Sequence, residues 1–228
     1  KLRTNMRTKT MLAAAAALAA GLATSMAQSN VYSVNVVGYV NKVFVGGNKY
    51  TGVANPLNTT NNTLAGLFGG AGAGLPAGAQ ILKWGPGQAD FTTYTKIALG
   101  NGWSPSGGAT ATLNPGEGCL VKITGGNYTN TFVGEVLQGS LTNSLLAGYQ
   151  MIGNQVPDSG PVTTLGFAPP NGSQLLKWDT TLQDWVTFTK VAFGSGWSPS
   201  VPSIDVAEGF MGRPNANYNW VRNFTVGP

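Results

Sequence analysis

The 228-residue chain is 42% apolar but only 9% charged, and it carries six Trp, one Cys and no His. The lack of His removes the commonest general base and metal ligand, and a lone Cys119 rules out an intramolecular disulfide. The formal charge of +5 belongs mostly to the first 27 residues: without Lys1, Arg3, Arg7 and Lys9, nine basic residues face eight acidic ones, which excludes the basic footprint of a nucleic-acid binder.

The chain opens with the three parts of a secretory signal peptide. These are a basic MRTKT (6–10), an apolar MLAAAAALAAGLA (11–23), and small residues in SMA (25–27) that set cleavage after Ala27. Met6 reads as the start, with residues 1–5 upstream of it. The apolar run has 13 residues, short of the ~20 needed to cross a bilayer, so no transmembrane segment is expected in the mature chain. No Cys follows the run and no Arg pair precedes it, which argues against a lipoprotein anchor and a twin-arginine signal. Secretion is expected, to the cell surface or beyond, with the periplasm as the other candidate compartment. The remaining 201 residues suffice for one large or two small domains.

Downstream, the segments alternate as strands do. In VYSVNVVGYV (31–40), Tyr32, Val34 and Val36 share a face. YTGVANPL (50–57) follows. TLAGLFGGAGAG (63–74) is the one helix candidate, held to a turn or two by its glycines. QILKW (80–84) and TTYTKIAL (92–99) form a hairpin across PGQAD, and the turn GWSPS (102–106) comes next. A Glu117-Gly118 turn leads into CLVKI (119–123), and YTNTFVGEV (128–136) puts Tyr128, Phe132 and Val136 on one side.

The same series then returns. GAQILKW (78–84) matches GSQLLKW (172–178) at five of seven positions, and residues 91–106 match 185–200 at ten of sixteen, both at an offset of 94. GWSPS recurs intact at 196–200. PGEGCL (115–120) pairs with VAEGFM (206–211), NYTNTFVGEV (127–136) with NYNWVRNFTV (217–226), and YTGVANPL with YQMIGNQV (149–156). VVG (36–38), FVG (132–134) and TVG (225–227) suggest one boundary strand used three times, which predicts that the strand at 31–41 packs within the first unit. The expected fold is all-β: two homologous β-sandwich or barrel-like modules in tandem, 28–131 and 132–228, after a leader at 1–27.

Each candidate site has a bland rival. Trp103 and Trp197, in the two GWSPS turns, are candidate aromatic platforms for sugar rings; the favoured reading makes each a plug at the end of its module's core. Trp84 and Trp178 continue apolar runs and read as core. Trp220 has no Trp counterpart, only a residue near Asn130, so it is the candidate for a copy-specific surface contact. Glu117 and Glu208 could be imagined as a glycosidase pair, but duplicated positions lie a module apart. The preferred reading has each Glu bonding to its turn backbone, with Gly118 and Gly209 at positive φ. Asp90, Asp179 and Asp184 are turn residues, too few for the six to eight oxygens of calcium. Cys119 aligns with Phe210 and reads as a small buried hydrophobe. No phosphate loop is present: GGAGAGLP (69–76) lacks the Lys. Neither a catalytic constellation, a cofactor site nor a metal site is expected.

YSVNVVGYVN (32–41), ANPLN (54–58), ILKW (81–84), LNPGEG (113–118), FVGEVLQGSLTNSL (132–145) and the two GWSPS turns together resemble secreted tandem-repeat β proteins of verrucomicrobial-type bacteria. AGYQMIGNQVP (147–157) is similar to the opening of small β modules in secreted surface proteins. The resemblance implies extracellular residence and carries no catalytic residues. No apolar helix with a basic cluster follows Phe224, so release or non-covalent retention at the surface is expected rather than a sorted anchor. The expected function is a non-enzymatic structural or adhesive role at the cell surface or in the extracellular matrix. The alternative is a carbohydrate-binding module using Trp103, Trp197 or Trp220. Candidate partners are extracellular polysaccharide, other surface proteins and further copies of the chain.

Overall fold

A computed structural model describes residues 36–227; the proposed leader and residues 31–35 lie outside them. The first half runs β1 (Val37–Phe44), β2 (Lys49–Ala54), α1 (Leu64–Phe68), β3 (Gln80–Lys83), β4 (Thr92–Lys96), β5 (Trp103–Ser104), a 3-10 turn (Ser106–Ala109), β6 (Gly118–Ile123) and β7 (Tyr128–Glu135). The second half runs β8 (Gly139–Leu145), β9 (Gln150–Gly153), β10 (Gly160–Pro161), β11 (Gln174–Asp179), β12 (Asp184–Lys190), β13 (Trp197–Ser198), β14 (Ser203–Ile204), β15 (Gly209–Arg213) and β16 (Tyr218–Phe224). The fold is all-β, with open sheets that pack as in a sandwich.

Each half pairs its own first and last strands into a ribbon, β1 with β7 and β8 with β16. Each also holds a five-stranded antiparallel sheet, β2-β6-β3-β4-β5 in the first and β9-β15-β11-β12-β13 in the second. Read strand by strand, the two orders correspond. Strand register fixes the counterparts: Phe44 faces Tyr128 in one ribbon, and Leu145 faces Tyr218 in the other. Lys42 therefore corresponds to Asn143, and Asn130 to Trp220.

The boundary strand is not shared. β7 pairs with β1 along its whole length, so FVGE (132–135) closes the first half, and the division falls at 136–138 rather than at 131/132. Pairing first strand with last lets each ribbon satisfy its backbone donors and acceptors locally. The described part of the predicted first strand packs inward as expected, through Val36 and Val40, and the observed strand continues inward to Phe44. α1 is a single five-residue piece, capped by the Thr63 hydroxyl accepting from Gly66 N at 3.1 Å and ended by Gly69 at φ 91°.

Two cores lie between ribbon and sheet. The first gathers Phe44, Phe68, Ile81, Trp103, Val121 and Phe132. The second gathers Phe167, Leu175, Trp197, Phe210 and Trp220. Alternation dictates that the other face of each sheet carries a second set of side chains. Cys119, Val121 and Ile123 of β6 enter the first core, whereas Leu120 points away from it, to meet Met151 and Met211 of the other sheet. Tyr50, Trp84, Phe91, Trp178 and Trp185 border this third, shared cluster.

The two sheets meet there reciprocally. Ala54 N donates to Ala207 O at 3.1 Å, and its counterpart Gly153 N donates to Gly116 O at 3.0 Å. Tyr50 lies against Trp178 at 5.8 Å, and Tyr149 against Trp84 at 6.3 Å. Each contact recurs with the halves exchanged, the mark of an interface with two-fold character.

The Glu-Gly turns correct one expectation. Positive φ falls at Gly116 (92°) and Ala207 (56°), not at Gly118 and Gly209. Those two glycines serve the contact between halves: a Cβ on Gly118 would lie 2.7 Å from Ile152 O, and one on Gly209 would overlap the Val53 carbonyl.

Candidate functional site

Trp103, Trp197 and Trp220 are all buried, and none turns a face to water. Trp103 donates from Nε1 to Gly69 O at 3.1 Å, and Lys96 Nζ sits 5.2 Å from its ring centre. Lys96 is itself buried, donates to the Gly69 and Gly70 carbonyls, and is held below the ordinary lysine value by burial. Trp197 pairs with Lys190 in the same manner, at 5.8 Å, and stacks on Phe167. The favoured reading, a plug at the end of a core, describes both burials. Trp220, expected at a surface contact, lies inside the second core, where Nε1 donates to Leu165 O at 2.8 Å and the ring packs on Phe167 and Phe210. Its strand position is inward-facing, so a large ring there fills core volume. Trp84 and Trp178, read as core, are half-buried and border the shared cluster.

The other candidates are local. Glu117 Oε2 accepts from Asn114 N at 2.9 Å, and Glu208 Oε2 from Asp205 N at 2.8 Å, so each carboxylate closes its own turn. Asp179 Oδ1 accepts from Thr181 N and Leu182 N, and these bonds hold its carboxyl below the usual value. Asp90 and Asp184 each accept from the following backbone N–H. Cys119 is fully buried, and burial pushes its thiol up to about 12, away from the nucleophilic thiolate. Among the described residues no three Asp, Glu, Cys or His side chains converge as metal ligands, and no helix is long and apolar enough to cross a membrane.

What the sheets do build is a pair of corresponding clefts where the halves meet. One, of about 360 Å³, is walled by Lys42 of β1, Thr51 of β2, Lys177 and Trp178 of β11, and Asp205 and Glu208 of the turn before β15. Lys177 Nζ lies 3.1 Å from Glu208 and donates to Ser203 O at 2.8 Å. Trp178 Nε1 donates to Tyr50 O at 3.0 Å, which fixes the indole as a wall. Among the described residues, Lys42 Nζ has a single protein acceptor, Val206 O, at a long 3.5 Å. Burial lowers the Lys42 ammonium below the ordinary lysine value and Lys177 pushes the same way, while Glu208 and Asp205 oppose the shift.

The other cleft, of about 150 Å³, uses the counterparts Lys83, Trp84, Glu117 and Asn143. Lys83 and Glu117 pair at 3.3 Å. Asn143, standing where Lys42 stands, donates to Gly116 O at 2.9 Å. Sequence reasoning missed this site. The available signal was Lys42 at an inward parity, between Val40 and Phe44, where an apolar residue is expected.

No known protein family, curated protein or solved structure matches the chain.

Proposed function

We propose that the protein is a secreted, non-enzymatic adhesive or structural component of the cell surface or extracellular matrix, built from two copies of one β unit. The observation that carries this reading is a pair of apolar hairpin tips. Leu99 is 79% exposed at the β4–β5 connection, and Phe193 is 84% exposed at the corresponding β12–β13 connection. One exposed apolar side chain is ordinary; the same position exposed in both halves is not demanded by either core. Each tip is held firmly, by Ile97 N to Gly102 O at 2.9 Å and Val191 N to Gly196 O at 3.0 Å. The surrounding segments, 97–116 and 191–204, contain no charged residue. Two rigid, neutral tips on one body suit bivalent attachment, in which the second contact forms at high effective concentration.

The test is co-sedimentation of the purified protein with insoluble extracellular material from the producing cells. Leu99→Ser/Phe193→Ser should stay folded and lose retention by about tenfold or more, with each single variant between. Retention equal to the unmodified protein would overturn the reading, as would turnover of a glycan.

A further inference from the structure

We propose that the Lys42–Trp178 cleft is a binding site for a neutral saccharide. It is separate from the hairpin tips and does not depend on the adhesive reading. The argument begins with unused polar capacity. An ammonium has three donors, and Lys42 spends them on one long contact to Val206 O. Among the described residues, no protein donor bonds the Asp205 carboxylate, although its backbone N–H is engaged by Glu208. Thr180 and Thr181 add hydroxyls at the rim. Lys42 is half-buried, where so little bonding of an ammonium is costly unless something bonds it, and the exposed Asp205 carboxylate beside it is left able to accept from a ligand hydroxyl.

The charge balance selects the ligand class. Lys42 and Lys177 face Asp179, Asp205 and Glu208 around one cavity. An anion would meet three carboxylates, and a cation two ammonium groups. A neutral polyol meets neither penalty, because each hydroxyl both donates and accepts. Trp178 lines the cavity and adds apolar surface for the C–H groups of a pyranose, and 360 Å³ lies within the range of small-molecule sites.

The other cleft is the internal control. Where Lys42 stands it has Asn143, whose amide is bonded to Gly116 O within the protein, and the turn position of Asp205 is held by Asn114, which lies outside the cleft lining and whose amide reaches Glu117. The same scaffold is thus narrower where the ribbon side chain is bonded within the protein and wider where it makes only one long contact.

Titration of the full chain with cellobiose, maltose, lactose and xylobiose, followed by tryptophan fluorescence and calorimetry, tests the proposal, with glycine and citrate as charged controls. At least one neutral disaccharide should bind saturably. Lys42→Asn and Asp205→Asn, which install the corresponding residues of the other half, should each weaken that binding by about tenfold or more. Leu99→Ser/Phe193→Ser should leave it unchanged. Bound saccharide should also slow acetylation of Lys42 in the unmodified protein, read by mass spectrometry, a measurement that needs no variant to fold. Absence of binding by all four disaccharides, binding by the charged controls alone, undiminished binding by both Asn variants, or unprotected Lys42 would each overturn it.

Discussion

The two clefts share their frame and differ in their filling. Each has a Lys-Trp pair at the end of a central strand, a Glu that closes a turn, and a ribbon strand lying over them. The inward ribbon position, Lys42 in one and Asn143 in the other, is one of the differences between a cleft of about 360 Å³ and one of about 150 Å³. The short amide reaches a carbonyl of the opposite turn, and the long ammonium does not settle on one. Corresponding backbones therefore set where a site can form, and the side chains that line it set how wide it is.

The same contrast runs through the cores, and the largest expected effect breaks it there. Trp220 fills the second core at the position that Asn130 holds in the first. Trp220→Ala should cost about 3–5 kcal/mol, measured by denaturant unfolding. Asn130→Ala removes a buried amide whose Nδ2 has no partner, and should cost far less, about 1 kcal/mol or under. Equal losses would mean that the two cores are not organised differently at this point.

An intermediate effect sharpens the comparison at the contact between halves. Gly209→Ala drives a methyl into the Val53 carbonyl, and Gly118→Ala brings one to 2.7 Å from Ile152 O. Both obstacles are backbone, which cannot swing aside. Gly209→Ala should destabilise by about 3 kcal/mol or more and Gly118→Ala by about 1–2 kcal/mol. A reversed order in thermal or urea unfolding would contradict the geometry.

The smallest effect is confined to alkaline solution. Cys119 holds in the first core the place of Phe210 in the second. Folding raises the thiol from an ordinary 9.0 to about 12, so above pH 9 the unfolded chain binds fewer protons than the native one. Stability from this group is complete below pH 9 and falls as the pH climbs toward 12. Cys119→Ala should remove that part of the alkaline loss while leaving the second half unaffected. In the native protein at neutral pH, Cys119 should resist thiol reagents, read by the rate of labelling.

Much of the fold was legible in the residues because strand periodicity states which side chains share a face. Val40 and Phe44, Ile81, Val121 and Phe132 fall on core faces as alternation requires, and the hairpins across residues 86–90 (PGQAD) and 179–184 (DTTLQD) form where turn residues interrupt it. The recurrence of GWSPS fixed two corresponding positions, and the burial of both indoles follows from Trp being a costly ring to leave in water. What periodicity cannot state is what covers the opposite face. Gly118 and Gly209 look like turn glycines in sequence, yet their small size is needed because another sheet's backbone passes against them. Trp220 lacks a counterpart in sequence, yet a cavity between ribbon and sheet was there to receive it. Lys42 is an ordinary lysine until Asp205, Glu208 and Lys177, more than 130 positions away along the chain, are brought around it. Local pattern is set by covalent geometry and by each residue's preference for water or oil. Contacts between distant segments depend on how two finished surfaces fit, and only the tertiary structure determines that.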